Sequence, residues 1–212
     1  RRFDVVIAVS QATADAIIDK WHPPRQIVVI PNGIDVADRV KRTPGLRILS
    51  LARLAPEKRL SALVNGFARL VVEHPGATLT LAGTGEEEAA LRQQVDRLGL
   101  AGCVALPGFV DPVAAMAEHD VLAMLSIWEN CSYALLDAAA AGMGVVSSDV
   151  GGNPEILPVT SLVTADDAEA VADALARQGL ELSARPGLTR WPTVAEMTSS
   201  IARCYDSTAP RS

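Results

Sequence analysis

The sequence predicts an α/β fold in which a parallel sheet carries helices on both faces. Two observations lead there. Short apolar runs alternate with amphipathic stretches along nearly the whole chain, the rhythm of strand–helix–strand units. Glycines, cations and acids recur directly behind the strand-like runs, which is where an open parallel sheet holds its ligands.

In chain order, Val5–Val9 and Ile27–Ile30 read as the first two strands. "VIPNGID", Val29 to Asp35, then ends in a Pro-Asn-Gly turn, and Val36 to Pro44 is polar and charged, as a linker is. Residues 1–36 are therefore expected to be the closing βαβ piece of a preceding domain, and residues 44–185 a complete one. Strands are expected there at Arg47–Leu51, Thr78–Ala82, Cys103–Leu106, Val121–Leu125, Val145–Ser148 and Ser161–Val163. Leu60, Leu63, Val64, Phe67, Leu70 and Val71 fall at helical spacing, and His74-Pro75-Gly76 ends that helix. Glu86 to Leu98 and Asp166 to Gln178 are two further helices, each with a glycine behind it. A last helix over residues 193–205 follows a Pro- and Gly-bearing loop and is expected to pack elsewhere, with residues 206–212 disordered.

At 212 residues and 49% hydrophobic, the chain can bury a full core. It opens on Arg1 rather than Met, so a piece of a longer protein is expected. No apolar run approaches the ~18 residues that span a bilayer, because Ala134 to Val146 is interrupted by Asp137, Gly142 and Gly144. A net charge of −6 argues against nucleic-acid binding, so an anionic ligand needs a local cluster of cations. Cys103, Cys131 and Cys204 are too widely spaced for a zinc or redox pair, which favours a reducing, cytoplasmic setting. No metal-ligand cluster and no cofactor motif is evident.

Five consecutive strands of the larger unit deliver distinctive residues to one rim: "ARLAPEKRL", "AGTGEEE", "PGFVDP", "SIWENCS" and "SDVGGNPE". Arg53 and Lys58 are natural anion partners, a planar fork and a compact charge; two solvated surface cations are the plainer alternative. "GTGEEE" lacks the third glycine of a dinucleotide fingerprint, which argues against a dehydrogenase. Gly151-Gly152 lets backbone approach a ligand, or is a simple turn. His22, His74 and His119 have ordinary structural readings. Cys131, near a helix start, invites a lowered thiol pKa, although chance placement is the plainer and favoured explanation.

Taken together, "VIPNGID", "LARLAPEKRL", "LAGTGEEEAALRQQVDRLGL", "LPGFV", two acids with seven residues between them and "GGNPEIL" resemble, in order, glycosyltransferase family 4, the glycosyl transferases group 1. The resemblance runs over nearly the whole chain from Asp4. It implies a GT-B enzyme of two facing Rossmann-like domains, with this chain the C-terminal, donor-binding half behind the last piece of a missing N-terminal acceptor domain. It further implies a retaining transfer from a UDP-, GDP- or ADP-linked sugar, without metal. By the same resemblance Arg53 and Lys58 neutralise the diphosphate, and Glu129 faces the donor sugar. Asp137 meets the ribose, and Asn130, Cys131 and Ser132 offer backbone amides to sugar and phosphate. Gly83, Phe109 and Val110 fall to the nucleotide side.

The chain departs from the family's pattern at three places. Asp137 stands where glutamate is usual, one methylene shorter, and at the start of the helix-forming run its charge would also suit the backbone dipole. Gly144 replaces a usual proline, an expected small loss of rigidity. The segment from Ile156 to Ser161 is shorter than usual. Against the enzyme reading stands a nucleotide- or sugar-binding module of the same fold without transfer activity, which the shortened Asp137 favours.

Overall fold

The computed structural model describes residues 5–21, 26–35, 42–188 and 190–208. His22, most of the expected linker and the last four positions of the tail lie outside these.

The described residues form two parallel sheets. The smaller pairs β1 (Val5–Ala8) with β2 (Gln26–Val29), and α1 (Gln11–Lys20) connects them. The larger consists of β3 (Arg47–Leu51), β4 (Thr78–Ala82), β5 (Val104–Gly108), β6 (Val121–Met124), β7 (Gly144–Ser148) and β8 (Leu162–Val163), in the spatial order β5-β4-β3-β6-β7-β8. All of its pairings are parallel. The chain first builds outward from β3 on one side, then returns to lay β6 on the other. The strand order therefore reverses between β3 and β6, a place where loops diverge and leave a crevice.

Strand periodicity sends alternate side chains to opposite faces, and the core divides accordingly. Ile48, Val121 and Ala123 join one layer with Leu63 and Phe67 of α2 (Leu60–Glu73), Leu91 of α3 (Glu88–Arg97) and Leu175 of α7 (Ala168–Leu180). Their neighbours Leu49, Leu122 and Met124 join the other, with Met116 of α4 (Pro112–Glu118) and Leu135 and Leu136 of α5 (Tyr133–Ala140). Gly66 admits α7 against α2, since a Cβ there would lie 2.3 Å from Val171 Cγ1.

The expected strands are all present; β3 and β4 have the expected bounds, and the ends of the others shift by one or two residues. Pro112 and the Asp111 cap start α4, a helix not singled out in the sequence. The last helix, α8 (Val194–Thr208), and the residues just before it are tied to the smaller unit: Ile34 N donates to Pro192 O at 3.0 Å, Trp191 Nε1 to Asn32 O at 2.8 Å and Gly33 N to Met197 Sδ at 3.1 Å.

Two expectations need correcting. Asp137 is not at the start of α5. Ser132 caps that helix, and Asp137 is its fifth residue, beyond the turn where the dipole favours an acid. Gly144 is not a simple loss of rigidity either. Its N–H donates to Asp120 O at 2.9 Å, which proline has no hydrogen to do, and a Cβ would lie 2.4 Å from Gln178 O.

Candidate donor site at the sheet's carboxyl edge

The loop behind β3 turns into a short 3₁₀ segment, Pro56–Lys58, and Arg59 follows at φ 50°. A left-handed non-glycine residue costs about 1 kcal/mol or more. Here its neighbours hold it: Arg59 N donates to Pro56 O at 3.1 Å, and its guanidinium pairs with Asp166. The result sends Lys58 toward the loop behind β6. Lys58 Nζ lies 2.5 Å from Glu129 Oε1, with 23% and 15% of the two side chains exposed. The backbones are fastened as well, Ile127 N donating to Glu57 O at 2.8 Å.

Arg53 stays outside this pair. Its side chain is 65% exposed and bonds Glu57. Hydrogen bonding from its own backbone, then the charges of Arg53 and Lys58, holds the Glu57 carboxyl below the ordinary glutamate range.

The loop behind β4 lies directly on the Arg53 loop. Leu54 N donates to Thr84 O at 2.9 Å, and a Cβ on Gly83 or Gly85 would fall 1.9 Å from Ala52 O or 2.2 Å from Leu54 O. Gly83 has φ 144°, which side chains rarely adopt. With that spacing, Arg53, Gly83, Thr84, Phe109 and Val110 surround one cleft of about 420 Å³. Phe109 is 84% exposed at its mouth, an apolar ring left open to water beside a cation.

The loop behind β6 runs into α5. Among the described residues, no protein acceptor meets the backbone N–H groups of Asn130, Cys131 or Ser132. These are the donors a helix start leaves available. The Asn130 side chain is turned elsewhere: its Oδ1 accepts from Thr13 Oγ1 at 3.0 Å and Trp128 Nε1 at 2.8 Å. Cys131 is buried, and burial pushes its thiol pKa up, so the reactive-thiol alternative fails.

Asp137 stands apart on α5. Among the described residues its carboxylate accepts no hydrogen bond and meets no cation, and desolvation raises its pKa above the ordinary aspartate value. The residue itself is exposed.

The structure thus gathers Arg53, Gly83, Phe109 and Val110 around one cleft, and joins Lys58 to Glu129 beside it. It ties Asp137 to neither. Among the described residues no group of three or more metal-ligating side chains comes together, and no helix is long and apolar enough to cross a membrane. His119 is structural, its ring nitrogens 2.7 Å from Ala115 O and 2.9 Å from Thr80 Oγ1. Thr13 and Glu155 touch the site loops and were not singled out in the sequence. The Ser10-x-x-Thr13 spacing and the last letter of "GGNPE" carried the signal.

Residues 45–178 match the family described as Glycosyl transferases group 1, and residues 1–38 match Glycosyltransferase Family 4. A glycogen synthase of Mycobacterium tuberculosis is 31% identical over 95% of this chain and 54% of its own length. A putative colanic acid biosynthesis glycosyltransferase, WcaL of Salmonella typhimurium, is 29% identical over 83% of this chain and 48% of its own. The chain thus spans about half the length of these curated relatives. Among solved structures, Anabaena HepE in complex with UDP and glucose superposes with a TM-score of 0.83 at 24% identity, covering 96% of this chain and 63% of that one. The pneumococcal O-GlcNAc transferase GtfA, solved with UDP and GlcNAc, gives 0.75 at 19% identity over 97% and 44%. The shared fold is the Rossmann-like α/β architecture of GT-B glycosyltransferases.

Proposed function

The chain belongs to the glycosyl transferases group 1 family, and from that premise we propose that it carries the donor site of a retaining glycosyltransferase using a nucleoside-diphosphate sugar. The observation that carries the reading is the Lys58–Glu129 pair at the reversal of strand order, beside the acceptor-free amides of residues 130–132. A cation, a carboxylate and a row of N–H donors suit a ligand that is anionic at one end and rich in hydroxyls at the other.

In this reading Arg53 and Lys58 stabilise the charge that grows on the departing diphosphate, each well-placed donor contributing about 3–4 kcal/mol. The amides of Asn130, Cys131 and Ser132 hold sugar and phosphate oxygens. Glu129 orients the sugar's hydroxyls, Asp137 the ribose, and the Gly83, Phe109 and Val110 cleft takes the nucleotide side. The bond between the anomeric carbon and the phosphate oxygen breaks. An acceptor hydroxyl bonds that carbon on the same face and gives its proton to the leaving diphosphate.

Residues 1–36 are then the closing piece of an acceptor-binding domain, and 44–185 the donor domain. The greater length of the relatives supports such a further domain in the whole protein. The sparse cysteines favour a cytoplasmic setting. The shortened, unpartnered Asp137 favours a second reading, a binding module without transfer.

The test is calorimetry with UDP, GDP and ADP against their monophosphates, with UDP first because HepE holds it. Diphosphate binding that exceeds monophosphate binding upholds the donor site; no preference overturns it. Product formation by the whole protein, with the anomeric configuration read by NMR, separates transfer from mere binding and retention from inversion.

A further inference from the structure

Resting on the donor-site reading, we propose that Glu155 is a positioning residue that clamps the start of α1 to the Gly151–Gly152 turn and so holds the loop of Glu129. Glu155 follows that turn in the short helix α6 (Asn153–Ile156). Its Oε2 accepts from Gln11 N and its Oε1 from Ala12 N, both at 2.9 Å. A helix start leaves its first N–H groups without intrahelical partners. Here a carboxylate from more than 140 positions along the chain takes two of them.

The contact is one strand of a wider fastening. Ser10 Oγ accepts Thr13 N at 3.1 Å and lies 2.8 Å from Thr13 Oγ1. Since Thr13 Oγ1 donates to Asn130 Oδ1, the Ser10 hydroxyl must donate to Thr13. Asn32 Nδ2 donates to Cys131 O at 2.7 Å. Gly152 N donates to Glu129 O at 2.9 Å. Three successive loop residues, Glu129, Asn130 and Cys131, are thus each held, two of them by the smaller unit.

The turn is wedged as well as bonded. A Cβ on Gly152 would lie 1.7 Å from Asn130 O and 2.9 Å from Ser10 Cβ, and one on Gly151 1.9 Å from Glu129 O. Movement of α1 must therefore move the turn, and through it the loop. The donor loop owes its shape to a segment outside its own sheet. Displacing reacting groups by about 1 Å is enough to cost a hundredfold in rate.

The test uses the 212-residue chain, hydrogen exchange and calorimetry with UDP, GDP and ADP. Glu155→Gln sets an NH₂ against a backbone N–H and breaks one of the two bonds. Thr13→Val cuts the tie to Asn130 and leaves Glu155 alone. Exchange in peptides covering residues 127–136 and 150–154 should be about tenfold faster in Glu155→Gln, the scale of one hydrogen bond to a charged group, and about fivefold faster in Thr13→Val, where the lost bond joins two neutral groups. Diphosphate affinity should fall severalfold. Faster exchange confined to α1 with unchanged affinity would mark Glu155 as a helix cap and overturn the proposal. If Glu155→Gln fails to fold, Thr13→Val decides: unchanged loop exchange overturns the clamp. If wild type binds none of the three diphosphates, the donor reading falls, and loop exchange alone judges the clamp.

Discussion

Lys58 Nζ lies 2.5 Å from Glu129 Oε1, and the pair joins the loops behind β3 and β6 where the strand order reverses. Each side chain is mostly withdrawn from water, so each charge depends on the other for compensation. An arriving diphosphate competes with Glu129 for Lys58. Binding and stability should therefore separate when one partner is changed.

Glu129→Gln leaves Lys58 without its carboxylate. Unfolding free energy should fall by about 1–3 kcal/mol, between the cost for an exposed pair and for a fully buried one. UDP affinity should hold or rise, because the cation is no longer shared. Lys58→Met should lower both. Denaturant melts and calorimetry read the two quantities. Equal losses of affinity in the two variants would show that Lys58 does not face the diphosphate.

Asp137 gives a pH signature. Its native pKa is raised by desolvation, so the folded chain binds more protons between the ordinary aspartate value and the raised one. Stability from this group is lost as pH rises through that window and stays lost above it. Asp137→Asn should melt higher than wild type at neutral pH. The gain should vanish below the ordinary aspartate range, where the carboxyl is protonated in both states. An equal gain at both ends would mean that titration is not its cause.

The same side chain tests ribose contact. Wild type should prefer UDP over its 2′,3′-dideoxy analogue, and Asp137→Asn should erase most of that preference. A preference that survives would release Asp137 from the donor site.

The sheet was legible because strand-length apolar runs and helical spacing, as at Leu60 to Val71, are local signals. The gathering of Arg53, Gly83, Phe109 and Val110 at one cleft was legible because loops behind parallel strands share one edge of the sheet. Partner choice was not. Nothing near Lys58 in sequence points to Glu129, 71 positions away, and nothing near Glu155 points to Gln11. Asp137 was misplaced within its helix because an alanine-rich run gives no sharp start; Ser132 supplied it through its hydroxyl. Gly144 was legible as a departure but not as a requirement, since Gln178 O comes from α7.

Gly144→Pro restores the family's usual residue and should nonetheless destabilise. It removes the donor to Asp120 O and drives ring atoms toward Gln178 O. A cost of about 3 kcal/mol or more is expected for a proline that deletes a structural hydrogen bond and clashes. Gly144→Ala, which keeps the N–H, should cost less. Urea titration orders the two; a neutral proline variant would show that α7 yields at this contact.

Arg53 offers the cleanest separation of binding from folding. Its guanidinium is 65% exposed and, among the described residues, bonds Glu57 alone, four residues on, a contact worth under about 1 kcal/mol. Arg53→Ala should therefore leave the melting curve almost unchanged. Its reach into the cleft with Gly83 and Phe109 is another matter. A hydrogen bond to a phosphate oxygen is worth about 1.5–3 kcal/mol, so UDP affinity should fall roughly ten- to a hundredfold. Glu57 sharpens the test. In wild type it competes with the ligand for Arg53, and in Arg53→Ala it leaves an uncompensated negative charge near the diphosphate. Glu57→Gln alone should hold or raise UDP affinity, and added to Arg53→Ala it should recover part of the loss. The salt dependence of binding should weaken in Arg53→Ala, because one cation no longer acts. Arg53→Ala with affinity and salt dependence both unchanged would leave Arg53 a solvated surface cation, and the diphosphate to Lys58 and the loop amides.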